Sequence, residues 1–151
     1  MPAAKAKKEI SLPANYKPSE KEEYMCDKQL EYFRQKLSAW RAELSKELGE
    51  TLEHLKEENW QESDITDRAT VETDAGLELR TRDRYRKLIK KIDEALVRIE
   101  KEEYGYCEET GEEIGIKRLD ARPIATLCIE AQERHERDER THYDEDMEDR
   151  A

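Results

Sequence analysis

Two apolar stripes, each advancing by alternating steps of three and four residues, constrain the fold of this chain more than anything else in it. Leu30, Phe33, Leu37, Trp40 and Leu44 make the first, extended by Leu48, Leu52 and Leu55, and Tyr85, Ile89, Ile92, Leu96 and Ile99 make the second. Such spacing gathers every member on one side of an α-helix and leaves Lys, Arg and Glu for the other faces, the pattern of a coiled-coil seam. Neither stripe can bury itself, so each needs the other. The spacing predicts helices over about Asp27 to Asn59 and about Leu77 to Glu103, joined by roughly sixteen residues. That connection allows antiparallel return and closure of both stripes into a helical hairpin. Arms of about 30 residues would reach roughly 45 Å.

Composition supports long exposed helices over a round core. Only 35% of the 151 residues are hydrophobic and 44% are charged. A formal charge of -11 argues against wrapping of nucleic acid, which needs concentrated Lys and Arg. The charge is uneven. Between Gln61 and Gly76 the acids Glu62, Asp64, Asp67, Glu72 and Asp74 face one base, Arg68, a balance of -4. From Arg80 to Lys91 the bases Arg80, Arg82, Arg84, Arg86, Lys87, Lys90 and Lys91 face Asp83 alone, a balance of +6. No apolar run approaches the length of a bilayer, and none follows Lys5, Lys7 and Lys8 as a secretory leader would require. The expectation is a soluble cytoplasmic protein. Three cysteines without such a leader favour a reducing compartment, with Cys26 as a free thiol.

Four regions follow from this reading: an irregular leader over 1–26 punctuated by Pro2, Pro13 and Pro18; the hairpin over 27–103 with an acidic tip at 61–76; a small domain over 104–131; and a C-terminal helix with an acidic tail over 132–151. Within the leader, Ser19 followed by Glu22 fits a capping box. The last fifteen or so residues are expected to fray, because few apolar residues anchor them.

The small domain has the outline of a zinc finger with half its ligands replaced. Cys107 is followed by Thr110 and Gly111, and, after a stretch running to Leu127, Cys128 is followed by Ala131. Four cysteines at those places would match the paired spacing of a tetrahedral zinc site. Two cannot close the shell, since a Thr hydroxyl is a poor zinc ligand and Ala is none. His135 lies about two helical turns beyond Cys128, at the wrong level for the vacated corner. Folding by packing alone, without zinc, is therefore expected. Ile114, Ile116 and Leu119 can form its apolar cluster, and Arg122-Pro123 is expected to end a strand-like part before a helix carrying Cys128. Cys107 and Cys128 could instead serve a redox sensor. Asp64 and Asp67 could in principle bind Mg²⁺ or act as acid and base, but an acidic tip brings no pocket, so any such role would be exercised inside a partner's active site.

Taken together these residues resemble the DksA/TraR family of bacterial RNA polymerase regulators. Cys107, Thr110, Gly111, Ile114, Arg118, Leu119, Ala121, Pro123, Ala125, Cys128 and Ala131 fall in register with the family's finger, departing at the second and fourth cysteines only. The resemblance continues through Leu77 to Lys91 and the tip Asp64-Ile-Thr-Asp67-Arg68-Ala69, and reaches back to Tyr24-Met25 and Tyr16. It implies a mainly α fold, a long antiparallel coiled-coil hairpin with a small finger-like domain and a C-terminal helix. It implies a non-enzymatic regulator, acting as a monomer, that pushes its coiled coil into the polymerase secondary channel without reading specific DNA. On that resemblance Asp64, Asp67 and Ala69 act near the polymerase active site. Arg80, Arg84 and Lys87 are candidate contacts at the channel rim, and Lys91 and Arg122 fall at the site for the alarmone ppGpp, the effector of the stringent response. Gln132 stands where that site has another base. A transcript-cleavage or elongation factor using the same tip is the alternative.

Overall fold

The computed structural model of the chain describes residues 10–58 and 65–148. Four helices follow in order: α1, Asp27–Glu58; α2, Ile65–Glu100; α3, Ile116–Ala121; and α4, Ile129–Glu148. No strand forms among the described residues, where Tyr106 and Glu113 make an isolated antiparallel bridge. The mainly α expectation holds. None of the described helices is long and apolar enough to cross a membrane. The chain divides into two compact units, Arg34–Val97 and the pairing of Met1–Phe33 with Arg98–Ala151.

The Arg34–Val97 unit is made by the paired stretches of α1 and α2. Leu37, Leu44, Ile92 and Ala95 are buried, while Trp40, Leu48, Leu52, Tyr85, Ile89 and Leu96 are half-covered. The expected seams are thus the core, with Ala95 as an added member. Arg41 Nε donates to Asp93 Oδ1 at 2.6 Å, linking the first half of α1 to the last third of α2, the register of an antiparallel return. Both side chains are well exposed, so the pair marks the register more than it stabilises the hairpin.

Helix α2 begins at Ile65 and not near Leu77. The early part contains no proline, and the one glycine, Gly76, costs a helix only about 1 kcal/mol. Periodicity missed it because the half-covered positions there are small or polar, Ala75, Gly76, Glu78 and Arg82, while Leu77 and Leu79 are exposed. At the other end α2 stops at Glu100, short of Glu103. Glu102 takes a left-handed φ of 61°, and the N–H groups of Glu102 and Glu103 bond to the carbonyls of Ile99 and Arg98 at 3.1 and 2.9 Å. This Schellman closure satisfies the last carbonyls before Gly105 is reached.

The second unit is centred on Tyr104, which is 1% exposed and packs on Phe33 with ring centroids 5.6 Å apart. Its hydroxyl donates to the Pro123 carbonyl at 2.6 Å. Ile99, Ile114, Ile116, Leu119, Ile124 and Ala125 fill in around it, so the expected cluster of Ile114, Ile116 and Leu119 is part of a larger core. Tyr24 staples the leader to this core: its hydroxyl donates to the Gly105 carbonyl at 2.7 Å and accepts the Gly115 N–H at 3.0 Å.

Three local expectations give way, at Ser19, over 116–121 and along α4, whereas the expected start of α1 at Asp27 holds. Ser19 caps a turn and not a helix, its Oγ accepting the Lys21 N–H at 3.1 Å, and Glu22 turns instead to the Tyr16 hydroxyl at 2.5 Å. Helix α1 waits for Asp27 because Met25 takes a φ of 54°; the buried Gln29 steadies that corner by accepting the Met25 N–H at 2.9 Å and donating to the Ser19 carbonyl at 3.1 Å. Residues 116–121 are the helix α3 and not strand-like, entered from Gly115 at φ 102° and ended before the buried Pro123. Cys128 immediately precedes α4, its carbonyl accepting the Gln132 N–H at 3.0 Å, and α4 continues to Glu148 through residues expected to fray.

Gly105 has a φ of 93°, and a Cβ there would meet Met25 Cγ and Sδ at 2.8 Å. Gly105→Ala should destabilise the protein by about 1–2 kcal/mol, mostly through backbone strain because the Met side chain can give way. Gly76→Ala, with nothing within 4 Å of the added Cβ, should instead stabilise by about 0.5–1 kcal/mol. Urea unfolding of the two variants checks the opposite signs.

Candidate functional site

The finger closes around two buried thiols. Cys107 is 3% exposed and Cys128 7%, neither in a disulfide, and Ala131 is fully buried in the first turn of α4. Backbone bonds shape the turn: Gly111 N–H to the Cys107 carbonyl at 2.9 Å, Cys107 N–H to Glu112 at 2.8 Å, and Glu108 N–H to Thr126 at 2.9 Å. The last of these ties the turn to the segment leading into Cys128. Gly111, at φ 72°, supplies the left-handed residue that lets the chain reverse.

Thr110 now does polar work at its position. Its Oγ1 lies 3.8 Å from Cys128 Sγ and accepts the Glu112 N–H at 3.3 Å. Burial pushes the Cys107 thiol up. The Thr110 hydroxyl and the N–H groups of Cys128, Thr110 and Glu109 outweigh it, bringing Cys107 down to about 6. Donors aimed at one sulfur favour its thiolate, much as they would favour any anion.

These residues do not make a four-thiolate metal shell. Ala131 offers a methyl group packed into the core, and Thr110 offers a neutral hydroxyl already engaged. The imidazole of His135 is joined to the Glu109 carboxylate. Among the described residues, no group of three or more His, Cys, Asp or Glu side chains is placed to hold a metal ion.

The other expected site residues lie on or beside the helices. Arg80, Arg84, Lys87 and Lys91 are all exposed and, at steps of four, three and four, share one stripe of α2. Arg84 also lies over the ring of Tyr85, 5.7 Å from its centroid. Ala69 is exposed on α2, and Asp67 falls in the first turn of that helix with its side chain outside those described. Asp64 lies outside the described residues. Arg122 is exposed at the end of α3, its N–H bonded to the Arg118 carbonyl at 2.8 Å. It belongs to the finger-bearing unit, whereas Lys91 belongs to Arg34–Val97. Gln132 donates to Glu136 at 3.2 Å. Local spacing carries no sign of the His135–Glu109 pair, whose partners stand 26 residues apart in the chain.

Comparison with known proteins settles the family. Residues 29–99 match the model described as the DnaK suppressor protein DksA, N-terminal domain, and residues 102–137 match the prokaryotic dksA/traR C4-type zinc finger. A relative from Caulobacter vibrioides, named RNA polymerase-binding transcription factor DksA, is 61% identical over 87% of this chain and 93% of its own length. The chain belongs to the DksA family. A relative of the same name from Escherichia coli K12 is 51% identical over 78% of this chain and 77% of its own. The solved structure of transcription factor DksA2 from Pseudomonas aeruginosa superposes with a TM-score of 0.73 at 43% identity, over 78% of this chain and 90% of that one. Membership of DksA thus comes with a C4-type finger model, although this chain supplies two of the four cysteines.

In the Cys26→Ser variant, thiolate absorbance should rise with a midpoint near 6 for Cys107, and adding Thr110→Val should move that midpoint upward. Because its folded value lies below the ordinary 9, Cys107 contributes stability that is present above 9 and is lost as pH falls through about 6.

Proposed function

We propose that this chain is a transcription regulator that binds RNA polymerase and acts through its secondary channel, in the cytoplasm, as a monomer and without reading specific DNA. The observation that carries the reading is the 61% identity to a protein named RNA polymerase-binding transcription factor DksA, spanning 93% of that relative. Such relatives are named as transcription factors and not as enzymes, in keeping with a regulator that performs no chemistry itself.

In this proposal Asp64, Asp67 and Ala69 lie near the polymerase catalytic centre and alter the stability of promoter complexes. Acidic side chains near a Mg²⁺-bearing site perturb its field without forming or breaking a bond. The exposed stripe of Arg80, Arg84 and Lys87 meets acidic polymerase surface at the channel rim, where opposite charge speeds docking and fixes orientation. Lys91 and Arg122 take ppGpp phosphates, and Gln132 leaves the alarmone one cation short. The finger keeps its fold without zinc, since Ala131 and Thr110 have replaced ligands with a buried methyl and an engaged hydroxyl.

A second reading, a redox-sensing adaptor through Cys107 and Cys128, is favoured by the donors that hold Cys107 toward the thiolate. Serine replacement of both cysteines would abolish a peroxide response if this reading is right. An unchanged response disposes of it.

Asp67→Asn should retain polymerase binding while losing most regulation of responsive promoters in transcription assays with purified components. Full regulation by this variant would remove the tip acids from the mechanism. Chelator treatment should leave helix content and promoter regulation unchanged, with far less than one zinc per chain by elemental analysis; one zinc per chain would overturn the metal-independent finger.

A further inference from the structure

In a four-cysteine finger, the metal joins the turn after the first cysteine to the start of the following helix, and that cross-link is what a small domain of this kind depends on. Here the same two elements, the 107–111 turn and α4, are joined by side chains. One link is the weak contact of Thr110 with Sγ of Cys128, the residue just before α4, at 3.8 Å. The other is the hydrogen-bonded ion pair of His135 Nε2 with Glu109, which connects the crown of the turn to a position two helical turns into α4.

The neighbours leave this pairing its own geometry. Glu108, the adjacent acid of the turn, accepts instead from Arg98 at 3.3 Å. Gln132, one turn before His135 on α4, donates to Glu136. Glu109 is therefore the acid of the turn that meets α4. We propose that His135 and Glu109 form a clasp that takes the place of the metal cross-link, holding the 107–111 turn against α4. The clasp rests on the metal-independent finger proposed above.

The charges around the imidazole agree with this role. The hydrogen bond that His135 donates to Glu109 and then the charge of that carboxylate raise His135 above its ordinary 6.5, desolvation opposes them, and Asp138 and Glu139 on its own helix add to the rise. A raised histidine contributes stability that is complete below 6.5 and is lost as pH climbs through the raised value. This is opposite in sign to Cys107, so the two groups separate in a pH profile.

The test uses the full chain, with metal content measured first. By NMR the His135 midpoint should lie above 6.5 in the wild type and fall back toward it in Glu109→Gln. Amides of 108–111 and 129–135, corrected for intrinsic exchange at each pH, should exchange about two- to fivefold faster in Glu109→Gln and His135→Gln below neutral pH, the size expected of an exposed ion pair. His135→Lys should restore protection and keep it as pH rises. An unmoved His135 midpoint, or unchanged exchange in both neutral variants of zinc-free protein, overturns the clasp. One zinc per chain in the wild type overturns the metal-independent finger and the clasp with it, and elemental analysis shows this whatever the exchange data say.

Discussion

A narrow apolar seam between two highly charged helices is the constraint from which the rest follows. With 44% of its residues charged, the chain can remove little surface from water, and what it removes must be concentrated. Leu37, Leu44, Ile92 and Ala95 do this in the Arg34–Val97 unit. In the other unit Phe33, Ile99 and Tyr104 belong to a core of a different kind, held by an aromatic contact and a hydroxyl bond to Pro123. Faces left over from the seam remain charged and exposed. That freedom is what allows a basic stripe to run along α2 without cost to packing.

The seam residues were legible because burial and helical period coincide at Phe33, Leu37, Leu44, Ile92 and Ile99. Where the helix carries small or polar residues on its covered side, as at Ala75, Gly76 and Glu78, period and burial part company, and the start of α2 could not be read. The capping-box pattern at Ser19 misled for a different reason. Its bonding partners were claimed by Tyr16 and Gln29, contacts set by tertiary structure and invisible in local spacing. Residues 116–121 have no long periodic run, and a six-residue helix depends on Gly115 and on the burial of Ile116 and Leu119 more than on propensity. In the finger, the cysteine spacing pointed to the two buried thiols, but the side chains that bind the turn to α4 are far apart in sequence and carry no motif.

The finger shows how ligand replacement can be absorbed. A bulkier polar group at 131 would crowd the core or be buried without a partner, whereas the alanine methyl is fully buried there. At 110 a hydroxyl keeps a polar atom near both sulfurs, and one sulfur is drawn toward its anionic form by hydrogen-bond donors. The family's outline persists because Gly111, Ile114, Leu119 and Pro123 are needed for turns and packing whatever joins the sulfurs.

Helix α1 is entered just after Met25 and α2 is left just before Glu102, and both residues are left-handed without being glycine. The entrance is held by Gln29 and the exit by paired carbonyl bonds, so neither end can slide by a residue without breaking its closure. Arg41 and Asp93 mark how the arms are counted against each other, and the apolar seam holds that count. Length in this protein is therefore quantised: an insertion in one arm shifts its seam out of phase unless it comes as a whole heptad matched in the other. Relatives whose hairpins differ in length should differ by paired repeats, and single-residue changes should be confined to the connection between the arms.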